Sequence, residues 1–121
     1  RNIPMAIATS GDRRILNTAL ARLGVADCFV GILTCSELKT NKRVPTIYLR
    51  AAEILGTVPN ETAVFEDVLH AIKSARSAGF VTVAIEDQFS QSDCNEIKQT
   101  ASFYLRDFLD QTLYCPKSAI L

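Results

Sequence analysis

Two short segments of this 121-residue chain combine residue types and spacing that suit chemistry. Thr9-Ser10-Gly11 closes the apolar run Met5-Ala-Ile-Ala8 and stands just before a stretch of helical spacing. Between a strand end and a helix start, free backbone N–H groups and the positive helix end attract an anion, and a hydroxyl adds a donor to a phosphate oxygen. Ser10 and Asp12 are also preferred helix caps, so capping alone accounts for the same residues. The second segment is Glu66-Asp67, adjacent carboxylates directly after the apolar run Ala63-Val-Phe65. A hard cation suits such a pair, since Mg²⁺ takes one or two carboxylates and leaves its other positions to water and phosphate. An N-cap aspartate beside a solvated glutamate is the alternative. Lys42 taken alone reads as a solvated loop charge. His70 lacks a second histidine with which to hold a metal. No Ser/His/Asp or Cys/His arrangement, P-loop or dinucleotide fingerprint occurs.

These residues need elements to position them. Residues 5–8 read as a buried strand, and Ile15, Leu16, Ala19, Leu20 and Leu23 follow helical spacing up to a C-cap glycine, Gly24. Residues 28–33 form a second apolar run, and the polar stretch 34–43 is the longest loop. Pro45 opens a helix over about 45–55, with Tyr48, Ala51, Ala52 and Leu55 on one face and Gly56 as its stop. A connector, 57–62, leads to a third strand at 63–65. Val68, Ala71, Ile72 and Ala75 then resume helical spacing as far as Gly79. Residues 81–85 are a fourth strand, 86–93 are polar, 96–102 suit an amphipathic helix, and the tail carries Phe103, Tyr104 and Phe108. Continuous apolar strands alternating with amphipathic helices imply an α/β fold with a doubly wound parallel sheet. Ligands in such sheets sit at the carboxyl ends of the strands, where Thr9 and Glu66-Asp67 fall.

Composition excludes several classes. Lys+Arg 13 balances Asp+Glu 13, and the basic residues form no block, which argues against nucleic acid and against an anionic membrane surface. The apolar runs are far shorter than a membrane span. Cys28, Cys35, Cys94 and Cys115 show no C-x-x-C spacing and no metal-like pairing with His70, so free thiols in a reducing cytoplasm are expected. One domain over 1–121 is the natural count, and a start at Arg1 suggests a piece of a longer protein.

Met5-Ala-Ile-Ala-Thr-Ser-Gly11, Asn41-Lys-Arg-Val-Pro-Thr-Ile-Tyr-Leu-Arg-Ala-Ala-Glu-Ile-Leu-Gly56, Ala63-Val-Phe-Glu-Asp67 and Ala75-Arg-Ser-Ala-Gly79 together resemble the haloacid dehalogenase superfamily. The nearest group is the β-phosphoglucomutase-like phosphatases. The resemblance runs from about residue 3 to the tail and implies a Rossmann-like three-layer α/β/α parallel sheet. It also implies that Thr9 binds the transferring phosphoryl group with help from the amides near Ser10 and Gly11, and that Lys42 stabilises that group. The resemblance further implies that Asp67 ligates Mg²⁺ and that Glu66 ligates it or stands behind it. The activity it implies is that of a phosphatase or phosphomutase acting on a small phosphorylated metabolite such as a sugar phosphate.

The chain departs from the family pattern at Lys42-Arg-Val-Pro-Thr46, where Lys-Pro-x-Pro-Asp is common, and at Val68 and Ala71, where serine and glycine are common. The Asp-x-Asp strand bearing the family's nucleophile has no counterpart here, nor has the helical cap. The chain therefore resembles a partial core lacking the nucleophile strand, and by itself it is expected not to turn over substrate. The family's strand order is 3-2-1-4-5, and the missing strand is the central one. A missing N-terminal segment or self-association is expected to complete the sheet, because open backbone edges are costly. A non-catalytic remnant that binds phosphate or a partner is the alternative reading.

Overall fold

The structure is a computed structural model that describes residues 2–109 and 117–121. In chain order come β1 (Met5–Thr9), α1 (Arg13–Leu23), β2 (Gly31–Thr34), α2 (Thr46–Leu55), β3 (Thr62–Glu66), α3 (Leu69–Ser77), β4 (Val81–Ile85), α4 (Cys94–Thr100), β5 (Phe103–Leu105) and β6 (Ser118–Ile120). Short 3₁₀ turns occupy Ala26–Cys28, Pro59–Glu61 and Gln88–Asp93. Asp12 caps α1, its carboxylate accepting from the Arg14 N–H at 2.7 Å. α1 and α2 both end on glycines in the left-handed region, Gly24 and Gly56, each at φ 69°. A residue with a Cβ would be strained there, which is why the apolar periodicity stops where it does.

All six strands are parallel, in the order β2-β1-β6-β3-β4-β5. The path from β1 to β2 runs one way across the sheet and the paths from β2 to β3 and β3 to β4 run the other. Right-handed crossovers therefore put α1 on one face and α2 and α3 on the opposite face. This is the three-layer arrangement the sequence implies. α2 packs on β1, β2 and β6, and α3 on β3 and β4. Between them lies a core of Ala6, Ala8, Ile47, Tyr48, Ala51, Val64, Ala71, Ala75, Phe80 and Ile120. On the other face Ala63, Val83 and Leu105 pack with Phe65, Ile85 and Phe103.

β2, β1, β3 and β4 take the places the resemblance gives to strands 3, 2, 4 and 5, and β6 of this same chain holds the central place. The expected open centre is thus filled from within. Ala119 donates to Pro4 at 3.1 Å, Leu121 to Ala6 at 2.9 Å, and Ala8 to Leu121 at 2.8 Å. On its other side β6 pairs with residues 62–64 of β3. Ser118 is fully buried, and its hydroxyl lies 3.0 Å from that of Thr62 and 2.9 Å from that of Thr57. This closed set of hydroxyls satisfies polar atoms that the centre of a sheet cannot expose to water.

Other expectations are corrected in detail. The second strand begins at Gly31 rather than residue 28, because 26–28 wind into a 3₁₀ turn in which Cys28 N–H meets the Val25 carbonyl at 3.0 Å. On α1 only Leu20 is buried, while Ile15 and Leu23 are 73% and 69% exposed, since that helix packs chiefly on the turn at 26–28. Phe103 and Tyr104 belong to a short edge strand. Cys28, Cys35 and Cys94 are free thiols, and Cys115 lies outside the described residues. Among the described residues no helix is long and apolar enough to cross a membrane.

Candidate functional site

Tyr48 sits on the inner face of α2 and is fully buried, its ring edge-on to Phe80 at 6.3 Å and 65°. A buried phenol needs a partner for its hydroxyl, and Tyr48 donates to Glu66 Oε1 at 2.7 Å. Glu66 reaches that position because alternate residues of β3 face α2, so Val64 and Glu66 point to the side opposite Phe65. The Lys42 ammonium donates to the same Oε1. The Lys42 Nζ also stands 5.9 Å from the centre of the Tyr48 ring. The two charged side chains are only 14% and 7% exposed. Such a pair loses hydration that mutual attraction alone does not fully offset, and the Tyr48 hydrogen bond and ring help to make up the difference. Burial, then the Glu66 charge, pushes the Tyr48 hydroxyl well above its ordinary range, so it remains a donor.

The loop before α2 is built to present Lys42. Asn41 accepts from the Arg43 N–H at 2.9 Å and so bends the chain around the lysine. Lys39, at φ 52°, completes the preceding turn, in which Thr40 N–H meets the Cys35 carbonyl at 3.0 Å. Arg13 straps this loop to α1: its guanidinium donates to both Glu37 oxygens at 2.6 and 2.8 Å and to the Ile32 carbonyl at 2.6 Å. The hydrogen bond from Arg13 holds the Glu37 carboxyl below its ordinary range.

Lys42, Glu66 and Asp67 line one cleft, of about 320 Å³, together with Phe65, Ile85, Glu86, Asp87, Phe108 and Leu121. It opens at the carboxyl ends of β6, β3 and β4, where the sequence places a ligand. Both protein donors to Glu66 converge on Oε1, leaving Oε2 without a protein donor among the described residues. Asp67 makes no side-chain hydrogen bond or ion pair there either. Two neighbouring carboxylates with free oxygens match the one or two that Mg²⁺ takes when phosphate and water complete its shell. No cluster of three or more metal-ligating side chains exists among the described residues.

Thr9, Ser10 and Gly11 fall outside the cleft lining. They close β1, which β6 separates from β3, so they stand about 10 Å across the sheet from Glu66. Thr9 Oγ1 accepts from the Gly11 N–H at 2.9 Å, which leaves the hydroxyl proton free to donate elsewhere. A Cβ on Gly11 would come within 3.2 Å of that oxygen. Ser10 is exposed, with its hydroxyl 3.7 Å from the Cys35 sulfur. Because Asp12 performs the capping, Thr9 and Ser10 remain available to a ligand. His70 lines a separate surface depression with Arg43, Lys73 and Phe89.

Sequence reasoning missed Tyr48, which helical spacing counts as an ordinary core residue; its hydroxyl at a core position was the available signal. It also missed Glu86, Asp87 and Phe108, whose position just past strand ends was the clue.

The sheet thus carries a buried ammonium and paired carboxylates at its carboxyl edge. The sequence model of the haloacid dehalogenase-like hydrolases matches residues 1–79, and the chain belongs to that family. Fructose-1-phosphate phosphatase YqaB of Escherichia coli (strain K12) is 33% identical over 82 residues, covering 68% of this chain and 44% of that protein. The phosphorylated carbohydrates phosphatase of Thermotoga maritima is 35% identical over 79 residues, 65% of this chain and 37% of its own length. The crystal structure of a HAD hydrolase, family IA, variant 3, from Entamoeba histolytica superposes with a TM-score of 0.76 at 30% identity, covering 93% of this chain and 51% of that one. The chain spans about half the length of this structure and less than half of the two curated relatives.

Proposed function

We propose that these residues are the phosphate- and metal-binding part of a Mg²⁺-dependent phosphatase or phosphomutase acting on a small phosphorylated carbohydrate. The observation that carries this reading is the Lys42 ammonium, fixed on Glu66 and Tyr48 at the wall of a cleft that Asp67 also lines. Phosphoryl transfer asks a protein chiefly for positioned positive charge and donors around the equatorial oxygens. Lys42 supplies one charge, already oriented, and the Thr9 hydroxyl and the Ser10 amide supply donors from the β1 side, the Gly11 N–H being spent on Thr9 Oγ1. A phosphoryl group bridging the two sides sits above the end of β6. Four carboxylates, on Glu66, Asp67, Glu86 and Asp87, face one ammonium in the cleft. A phosphate dianion entering that field needs a cation, and Asp67 with Glu66 Oε2 would hold Mg²⁺, whose chemistry there is to neutralise charge on the phosphoryl oxygens.

The nucleophile in this proposal is an aspartate carried outside these 121 residues, so the chain alone binds phosphate without turning it over. The relatives that act on fructose 1-phosphate and phosphorylated carbohydrates support the substrate class. The test is calorimetric titration of the 13.3 kDa chain with inorganic phosphate, with and without Mg²⁺, alongside p-nitrophenyl phosphate turnover. Phosphate binding that requires both Mg²⁺ and Lys42, without turnover, is expected. No phosphate binding at saturating Mg²⁺ overturns the reading in favour of a remnant that serves a partner, and Mg²⁺-dependent turnover by the chain alone overturns the placement of the nucleophile.

A further inference from the structure

A second depression, of about 460 Å³, lies beside the cleft along three stretches of chain: Lys42, Asp67 and Asp87 line the cleft, while Arg43, Val68 and Phe89, one or two residues further on, line the depression. Leu69 and His70, the first residues of α3, belong to it as well. Val68 stands at the cap position of α3 with no side-chain acceptor, and the first turn holds no acidic residue, so the N–H groups of Leu69 and His70 have no protein acceptor among the described residues. Arg43 and Val68 occupy positions where proline and serine are common in the family pattern, and serine is a capping residue. Ser90 lines the same depression, is only 8% exposed, and its hydroxyl has no hydrogen-bond partner among the described residues. The side chains of Arg43 and His70 make no hydrogen bond or ion pair among the described residues, and Lys73 pairs with Glu96 at 2.5 Å. Asp93 offsets one of the lining's positive charges and leaves the other. Phe89, 87% exposed, presents a bare ring there, held by the turn in which Asp87 accepts from its N–H at 2.8 Å.

We infer that this depression is a nucleotide site separate from the phosphoryl cleft, in which the start of α3 and Arg43 take the phosphate and Phe89 takes the base. Free N–H groups at the positive end of a helix favour an oxyanion, and a guanidinium matches two phosphate oxygens at once. A buried hydroxyl without a partner is a group that a ligand oxygen can satisfy, as Ser90 requires. A phosphate has oxygens enough for the amides, Arg43 and Ser90 together, where a carboxylate has only two. Inorganic phosphate would leave Phe89 bare and most of the volume unfilled, whereas a base stacks on an exposed ring whatever its sequence identity. The acceptors of such a ligand are met here by N–H and O–H donors and by fixed positive charge. Binding in the depression therefore needs no Mg²⁺, which sets it apart from binding in the cleft.

Calorimetric titration of the 121-residue chain in EDTA with adenosine 5′-monophosphate, ribose 5-phosphate and adenosine tests this. The nucleotide is expected to bind with sub-millimolar affinity, and ribose 5-phosphate and adenosine each about tenfold more weakly. In a nuclear magnetic resonance titration the amide signals of Leu69 and His70 should move before those of Lys42 and Asp67. Phe89→Ala brings the nucleotide down to the affinity of ribose 5-phosphate, and Arg43→Gln weakens it about fivefold or more. Both side chains are exposed, so the two variants keep the fold and give independent readings. No binding of the nucleotide at millimolar concentration without Mg²⁺, equal affinity for ribose 5-phosphate, or an affinity unmoved in both variants overturns the inference and leaves the phosphoryl cleft untouched. Binding that appears only with Mg²⁺ and vanishes in Lys42→Met puts the nucleotide in the cleft and overturns it as well.

Discussion

Replacing Tyr48 by phenylalanine removes one oxygen from the core and nothing else. The ring stays edge-on to Phe80, and the Lys42–Glu66 pair keeps its direct contact. What is lost is the 2.7 Å hydrogen bond to Glu66 Oε1, a bond to a charged acceptor in a site shielded from water. Hydrogen bonds to charged groups contribute about 1.5–3 kcal/mol, and the vacated volume is too small to admit a compensating water, so we expect Tyr48→Phe to cost about 2 kcal/mol. In a chain of this length that lowers the thermal midpoint by about 8 °C. Urea unfolding followed by circular dichroism measures it, with an unchanged m-value showing that the loss is in stability rather than in the compactness of either state. A double-mutant cycle with Glu66→Gln assigns the energy: most of the Tyr48→Phe loss should disappear in the Glu66→Gln background. A loss below about 0.5 kcal/mol, or full additivity with Glu66→Gln, refutes the reasoning that Tyr48 serves the carboxylate rather than merely filling space.

Lys42→Met should destabilise by about 3 kcal/mol, because it strands a buried carboxylate, and should abolish phosphate binding; urea unfolding and phosphate titration check the two effects separately. The Arg13–Glu37 strap gives a pH signature. Glu37 has its folded-state carboxyl held below the ordinary value of 4.5, so its contribution is present above that value and is lost as the pH falls through the folded-state one. The difference in thermal midpoint between wild type and Glu37→Gln should therefore be full at neutral pH and shrink as the pH is taken down below 4.5 and through the lowered folded-state value. Deleting residues 117–121 opens the facing edges of β1 and β3, and size-exclusion chromatography should show loss of the compact monomer to aggregates.

Much of the fold was legible because its signals are local. The β-branched run at 81–85 is a strand at the predicted bounds, and the helix opened by Pro45 and stopped by Gly56 spans Thr46–Leu55. β5 and β6 were not legible, since three residues carry no periodicity, and Ser118 belongs in the sheet only because Thr57 and Thr62 lie opposite it. That partnership is a tertiary fact joining residues far apart in the chain. The site divides in the same way. Thr9, Lys42 and Glu66-Asp67 are conspicuous as residue types at strand ends and loops. The convergence of Lys42 and Tyr48 on a single oxygen of Glu66 depends on how α2 lies over β3. The role of Asp12 as the cap of α1 was open between two residues until the geometry chose one.

The position of β6 also governs the order in which the molecule can assemble. β1 and β2 follow one another in the chain, and β3, β4 and β5 form another local run, so each group pairs through single helical crossovers. The two groups meet only through β6, which follows both in sequence and joins Ala6 to Ile120 on one side and Val64 to Ile120 on the other. Closing so long a stretch of chain costs entropy before its contacts return anything, which makes the joining step slow. Folding should accordingly show two phases, a fast one in which the two half-sheets form and a slower one that fuses them. Emergence of residues 118–120 from the ribosome then times the completion of the sheet.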